Sequence, residues 1–443
     1  MPGEQPKGNM GLWEAVAMAV GTMVGASIFA IFGVGARIAG RNLPEAFLLS
    51  GLYALIVAHS YAKLGRKIVS NAGPIAFILH GIGDNLVTGA LSVLMWLTYV
   101  VSVAMFARGF AGYFLPLVHL DTGSFSTGAV VVAVVVVFTV LNFFGSKAVG
   151  RAEFTIVLIK VSILGVFVAS GILSIKSSSI LPSFDAGHVK GLLHASVLFF
   201  LSYMGFGLIT NASENIENAS KNVPRAIYIS IAIVMVIYIS VALVAVGNLP
   251  IPRLIELKEN ALAVAAEPFL GRLGFLLLSL GALFSISSAL NATLYGGANI
   301  SYSLAKDGQL PQVFERRVWF KSTEGLYITS ALSILFGLFF DMNGIASMTS
   351  AIFTVIYIFV LVSHFRLADK VGGSRWVLAM NTAVLIVVFA LLLYYQWVSR
   401  KTVLLGTVAV FSAALLLEAA YRLAKKRSFR LHRKGILKET GNS

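Results

Sequence analysis

The 443-residue chain has no cysteine. Disulfides, thiolate metal sites and a cysteine nucleophile are thereby excluded. Charge is scarce as well. Asp, Glu, Lys and Arg make up 12% of the residues, against about 25% in an ordinary soluble domain. Acidic groups are missing from the depth of every apolar stretch, since Glu14, Glu153, Asp341 and Glu418 all fall near a span end. Catalytic and nucleotide-binding motifs are absent too. There is no hydrolase triad, P-loop or His-Glu-x-x-His, and Gly33-Val34-Gly35 lacks the third glycine of a dinucleotide loop. The histidines, among them His59, His119, His188, His194, His364 and His432, form no metal set. No enzyme, metal, cofactor or ATP-driven step is expected.

What fills the chain is hydrocarbon: 58% of its residues are hydrophobic. A soluble globule of this size cannot hide that much apolar surface, because most of its side chains still meet water. The apolar residues fall in stretches of about 18 to 30, the length a helix needs to cross ~30 Å of bilayer core. Twelve such spans are read: 12–36, 43–62, 85–116, 125–143, 151–174, 190–212, 224–246, 270–304, 325–341, 344–365, 376–397 and 402–421. The third and eighth are long enough to require tilt. The first is too long for a signal peptide, and Glu4 interrupts the basic flank such a peptide needs.

The chain carries 34 basic and 19 acidic residues. Nucleic acid is not the reason for this excess. Most of the Lys and Arg residues sit in short loops on one side and in the tail from Arg422 to Lys438. By the positive-inside rule, this bias places both termini in the cytoplasm of a multi-pass cell-membrane protein. The tail has a second reading, contact with anionic lipid.

Two spans contain helix-breaking runs. Gly25-Ala26-Ser27-Ile28-Phe29 starts about 20 Å along the first span, and Ser202-Tyr203-Met204-Gly205-Phe206-Gly207 lies at similar depth in the sixth. The two are five spans apart. Five is odd, so a repeat starting at the sixth span enters from the opposite face. Breaks in corresponding spans of an inverted pair point to a transporter's binding site. A single glycine is more simply a packing residue, as Tyr295-Gly296-Gly297-Ala298 in the eighth span is read. An unwound segment offers amide N–H groups to a carboxylate and carbonyls to an ammonium. That chemistry suits an α-amino acid and needs no charged side chain.

These motifs resemble the amino acid–polyamine–organocation transporter family, of the leucine-transporter fold, over nearly the whole chain. Gly25-Ala26-Ser27-Ile28-Phe29 looks like the family's break in helix 1, and Ser70-Asn71-Ala72-Gly73-Pro74 like its small-residue motif between helices 2 and 3. Asn222-Val223-Pro224-Arg225-Ala226-Ile227 and Lys306-Asp307-Gly308-Gln309-Leu310-Pro311 resemble its two cytoplasmic signatures. The likeness is strongest to broad-specificity, proton-coupled members, in which a helix 5 lysine occupies the place of a sodium ion. Lys160 falls there. The resemblance implies an all-α polytopic membrane protein of twelve helices: a 5+5 inverted-repeat core with discontinuous helices 1 and 6, and two peripheral helices. The implied divisions are a cytoplasmic N-terminus (1–11), repeat 1 (12–174), repeat 2 (190–367), helices 11 and 12 (376–421) and a basic tail (422–443). One departure stands out: many relatives carry an acid just after the helix 6 break, where this chain has Gly207.

Lys160 lies about 14 Å into the fifth span, too deep for its stem to reach water easily. It is either a proton carrier or a permanent charge stapling helices together. The resemblance implies that its partners are the carbonyls of Gly21 and Ser285. Arg108 is about 35 Å along the third span, near the outer surface. It either snorkels to that surface or attracts carboxylates in a vestibule. Pocket walls are expected from spans 1, 3, 6, 8 and 10. The substrate contacts expected are Met23, Gly25, Ala26, Ser27, Phe199, Phe200 and Met204, with Trp96, Tyr99 and Phe106 as further candidates. The function expected is proton-coupled uptake of mainly neutral amino acids. Two rivals are a sodium-coupled carrier or exchanger on the same fold, and a non-transporting sensor or structural subunit.

Overall fold

The computed structural model describes residues 10–142, 149–175, 181–256, 260–306, 310–318 and 323–425; within these, the side chains of 25–27, 149–154, 255 and 425 lie outside the description. The expected tail beyond Lys425 and the N-terminal segment 1–9 also fall outside it.

The first span is made of α1 (Leu12–Ala30) and α2 (Phe32–Ala39). α3 (Leu43–Lys67) is the second span, and the short α4 (Pro74–Ile82) follows it. α5 (Leu86–Leu117), α6 (Ser124–Leu141) and α7 (Val149–Gly171) are spans three to five. The sixth combines α8 (Ala186–Phe199), a 3-10 segment Phe200–Phe206 and α9 (Gly207–Asn211). α10 (Ala219–Asn248) is the seventh, and two short helices, α11 (Ile251–Glu256) and α12 (Ala261–Val264), come after it. α13 (Glu267–Lys306) is the eighth, α14 (Glu324–Phe339) the ninth and α15 (Met342–Arg366) the tenth. The short α16 (Ala368–Val371) leads to α17 (Arg375–Ser399) and α18 (Lys401–Lys425). Among the described residues eleven helical stretches are long and apolar enough to cross a membrane, and α14 is a shorter apolar helix in the place of the ninth span.

Polar residues mark where helices begin. The Asn85 side chain accepts from the N–H groups of Val87 and Thr88 at the start of α5, and Asp185 does the same for Gly187 and His188 at α8. Asp341 caps Gly344 across the tight turn between spans nine and ten. Each cap satisfies amides that have no partner in the first turn.

Side-chain hydrogen bonds then sort the spans into two groups. Between spans three, four, eight and nine, Trp96 Nε1 donates to Thr329 Oγ1 (3.0 Å) and Ser333 Oγ to the Val100 carbonyl (2.8 Å). Thr139 and Ser330 share a hydroxyl contact of 2.8 Å, and Asn142 Nδ2 donates to Asn291 Oδ1 at 2.8 Å. Between spans one, two, six and seven, Ser50 Oγ donates to the Ser196 carbonyl (2.8 Å) and Tyr203 Oη to the Phe47 carbonyl (2.9 Å). Tyr238 Oη reaches the carbonyls of both Met23 (2.5 Å) and Ser202 (3.2 Å). Interhelical bonds of this kind average roughly 0.6 kcal/mol in a bilayer, so each set amounts to a few kcal/mol of cohesion.

Arg108 has a specific anchor. Its Nε donates to the Gly337 carbonyl at 2.7 Å, near the C-terminal end of α14, where a cation meets the negative end of the helix dipole. Glu418 also differs from a simple span-end residue. It is buried within α18, bonded to Arg422 (2.7 Å), which also pairs with Asp84 before α5.

Candidate functional site

Both spans depart from a single continuous α-helix, but the unwound runs expected at 25–29 and 202–207 are wound in the structure. In the first span the helix continues through 25–29 to Ala30 and breaks at Ile31 (φ −109°, ψ 2°). The physical reason lies in a neighbour: Tyr113 Oη donates to the Phe29 carbonyl at 3.2 Å, satisfying an oxygen that a continuous helix would have used. In the sixth span the chain is not unwound. It tightens into seven residues of 3-10 helix, Phe200–Phe206, longer than the three or four that are usual.

That tightening decides which side chains face what. With three residues per turn, positions i and i+3 eclipse one another. Phe200, Tyr203 and Phe206 therefore share one face, and all three are fully buried. Phe200 packs edge-on to Tyr53, and Phe206 edge-on to Tyr61. The other two faces, Leu201–Met204–Gly207 and Ser202–Gly205–Leu208, line a cavity of about 100 Å³.

All five spans expected from the sequence contribute to the cavity wall, and the second span and α4 do so as well. Thr22 and Met23 of the first span contribute; Thr98, Tyr99, Ser102 and Phe106 come from the third. The eighth adds Thr293, and the tenth adds Thr349, Phe353, Ile356 and Tyr357. Tyr61 and Pro74 complete the wall. Among the described residues no Asp, Glu, Lys or Arg lines it, and Gly207 is part of it.

The expected contact residues divide accordingly. Met23 and Met204 line the cavity. Phe199 and Phe200 do not. Phe199 stacks on Phe47 (ring centroids 3.9 Å apart) and lies over Gly35, where an added Cβ would fall 1.7 Å from its ring. Phe200 is turned away by the 3-10 geometry. Trp96 is likewise committed elsewhere, to Thr329. The side chains of Gly25, Ala26 and Ser27 lie outside the described residues. The sequence reading missed Tyr357, Asn211 and the bridging Tyr238; a polar atom in the middle of an apolar span was the available signal for the two tyrosines.

The first and sixth spans cross at close range. At Gly205 an added Cβ would meet Met23 Cγ at 2.7 Å and Met23 N at 2.9 Å, so only glycine fits there. Tyr238 ties the same crossing from behind. Lys160 stands behind the wall as well. It is 1% exposed, and its Nζ donates to the Gly21 carbonyl at 2.5 Å. Ser285 is fully buried on α13, and α1, α7 and α13 pack against one another. Gly21 immediately precedes the cavity residues Thr22 and Met23, so Lys160 touches the wall without entering the cavity. Among the described residues no group of His, Asp or Glu is arranged to hold a metal ion.

Residues 10–416 match the amino acid permease family. The chain is 63% identical to an uncharacterized protein of Methanocaldococcus jannaschii, over 95% of this chain and 97% of that one. It is 32% identical to the inner membrane transport protein YbaT of Escherichia coli, over 95% and 96%. Against the branched-chain amino acid permease BcaP of Lactococcus lactis it is 26% identical, over 81% and 82%. An uncharged cavity at the crossing of two broken membrane helices and a family match along almost the entire chain agree: this chain belongs to the amino acid permease family, as a multi-pass membrane transporter and not an enzyme.

Proposed function

We propose that the chain imports mainly neutral amino acids together with protons, by alternating access, across the cell membrane, with both termini in the cytoplasm. The observation that carries this reading is the pairing of a cavity free of charged side chains with a buried ammonium on the carbonyl just behind its wall. Backbone groups of Gly25, Ala26 and Ser27 and of the 3-10 segment would meet the substrate's carboxylate and ammonium. Met23 and Met204 would bear on its side chain. Residues 12–174 and 190–367 would be the two inverted repeats.

Coupling follows from the chemistry of Lys160. A protonated amine gives its carbonyl partners charge-assisted hydrogen bonds, each worth about 1.5–3 kcal/mol. A neutral one binds them more weakly. Protonation therefore changes how firmly α7 holds α1 and, with Ser285, α13. A difference of that size shifts a two-state equilibrium tenfold or more. The two internally bonded groups of spans supply bodies that can move against each other, with Tyr113 on Phe29 and Asn211 on Tyr99 joining them. A sodium-coupled carrier fits less well, because an ammonium at that place repels a cation. The test is uptake of a panel of labelled amino acids into proteoliposomes, with and without an imposed pH gradient. Concentrative uptake is expected only with the gradient. Flux that ignores the pH gradient and follows sodium overturns the coupling, and absence of any amino acid flux overturns the function.

A further inference from the structure

Two polar atoms at the cavity have no protein partner among the described residues: the Tyr357 hydroxyl and Asn211 Oδ1. Both residues line the same space. A buried hydroxyl or amide oxygen left unbonded is costly, and nearly all such groups in folded proteins find a partner. The cost here is not relieved by movement. Tyr357 is 1% exposed, and its ring is held edge-on by Tyr61 (5.5 Å), stacked by Phe206 (5.8 Å) and flanked by Phe353 (6.0 Å).

Asn211 is held from two sides. Its Nδ2 donates to Tyr99 Oη at 3.3 Å. Its Oδ1 lies against Gly73, where an added Cβ would come within 1.8 Å of it. Gly73 has φ +54° and belongs to the Ser70–Pro74 motif, so the glycine there makes room for this amide.

We infer that Tyr357 Oη and Asn211 Oδ1 form a side-chain subsite that selects uncharged amino acids bearing a hydroxyl or a carboxamide, an inference that rests on the amino acid reading above. The complementarity is specific. Asn211 Oδ1 can only accept a hydrogen bond, whereas the tyrosine hydroxyl can donate one. Hydroxyl and carboxamide groups both donate and accept, so one ligand group satisfies both atoms. A carboxylate has no proton for Asn211 and finds no cation in the wall. An ammonium or guanidinium has no acceptor for Tyr357 to donate to and finds no carboxylate. The neighbouring Met204, Phe353 and Ile356 accommodate the hydrocarbon stem.

Calorimetry on the purified full-length protein tests this with pairs of nearly equal shape, threonine against valine and asparagine against leucine, and with alanine as reference. The polar member of each pair should bind wild type about tenfold more tightly, the value of one buried hydrogen bond. Tyr357→Phe should bring the threonine-to-valine ratio to near one. Asn211→Leu should do the same to the asparagine-to-leucine ratio, and gives an independent reading if the first variant does not fold. Wild type without discrimination, or ratios unchanged in the folded variants, overturns the subsite while alanine binding upholds the function. Failure of wild type to bind any of the five amino acids overturns both.

Discussion

Lys160 Nζ and the Gly21 carbonyl oxygen lie 2.5 Å apart, and the lysine is 1% exposed. The bond joins the fifth span to the first one residue before the cavity wall begins. The lysine itself does not line the cavity.

Lys160→Ala is accordingly expected to abolish concentrative uptake while leaving substrate affinity within a fewfold of wild type. Lys160→Arg separates the two roles open to the residue, since arginine is permanently charged. A proton carrier predicts that both variants fail in vesicles but bind by calorimetry. Accumulation against a gradient by the arginine variant would show that the charge only staples helices.

Competition should rank neutral amino acids above arginine and spermidine. Gly207 lines the cavity, and among the described residues no carboxylate does. An uncompensated cation there costs several kcal/mol. Competition in which arginine displaces labelled alanine better than leucine does would contradict this.

Met204 and Phe200 are four residues apart and should behave differently. Met204 faces the cavity, so Met204→Ala should change substrate affinity with little loss of thermal stability. Phe200 packs between Tyr53 and Tyr357 without lining the cavity, so Phe200→Leu should lower stability by about 1 kcal/mol and change affinity less than Met204→Ala does. Melting curves and calorimetry on both variants check the assignment, and a reversed pattern would mean that the 3-10 register is wrong.

Tyr238→Phe removes one hydroxyl from the crossing of the first and sixth spans without altering the ring packing. A hydroxyl lost from the Met23 and Ser202 carbonyls is worth roughly 0.6–1.7 kcal/mol in a membrane protein. Substrate affinity should fall by up to about threefold to eighteenfold, with a modest drop in melting temperature. Tyr238→Ala, which also empties space beside Phe47 and Tyr203, should be markedly less stable. Affinity unchanged in Tyr238→Phe would mean that the Gly205 contact alone positions the crossing.

The sequence by itself determined the class of molecule and the spans. Apolar length, scarce charge and the placement of glycines depend on local composition, and a bilayer imposes the helical solution on any such stretch. It also located Lys160, because an isolated charge deep in an apolar span is conspicuous, and it named five of the spans that wall the cavity. Only the tertiary structure decided which way each side chain points. Phe199 and Phe200 immediately precede Leu201 in the chain; Phe199, ending α8, packs on Phe47, and 3-10 winding, invisible in composition, turns Phe200 into packing while Leu201 and Met204 face the cavity. The first break likewise lies beside a long-range contact, Tyr113 reaching the Phe29 carbonyl from 84 residues away. Tyr357 and Asn211 acquire their meaning from neighbours distant in sequence. An unbonded polar atom can be recognised only once everything around it is in place.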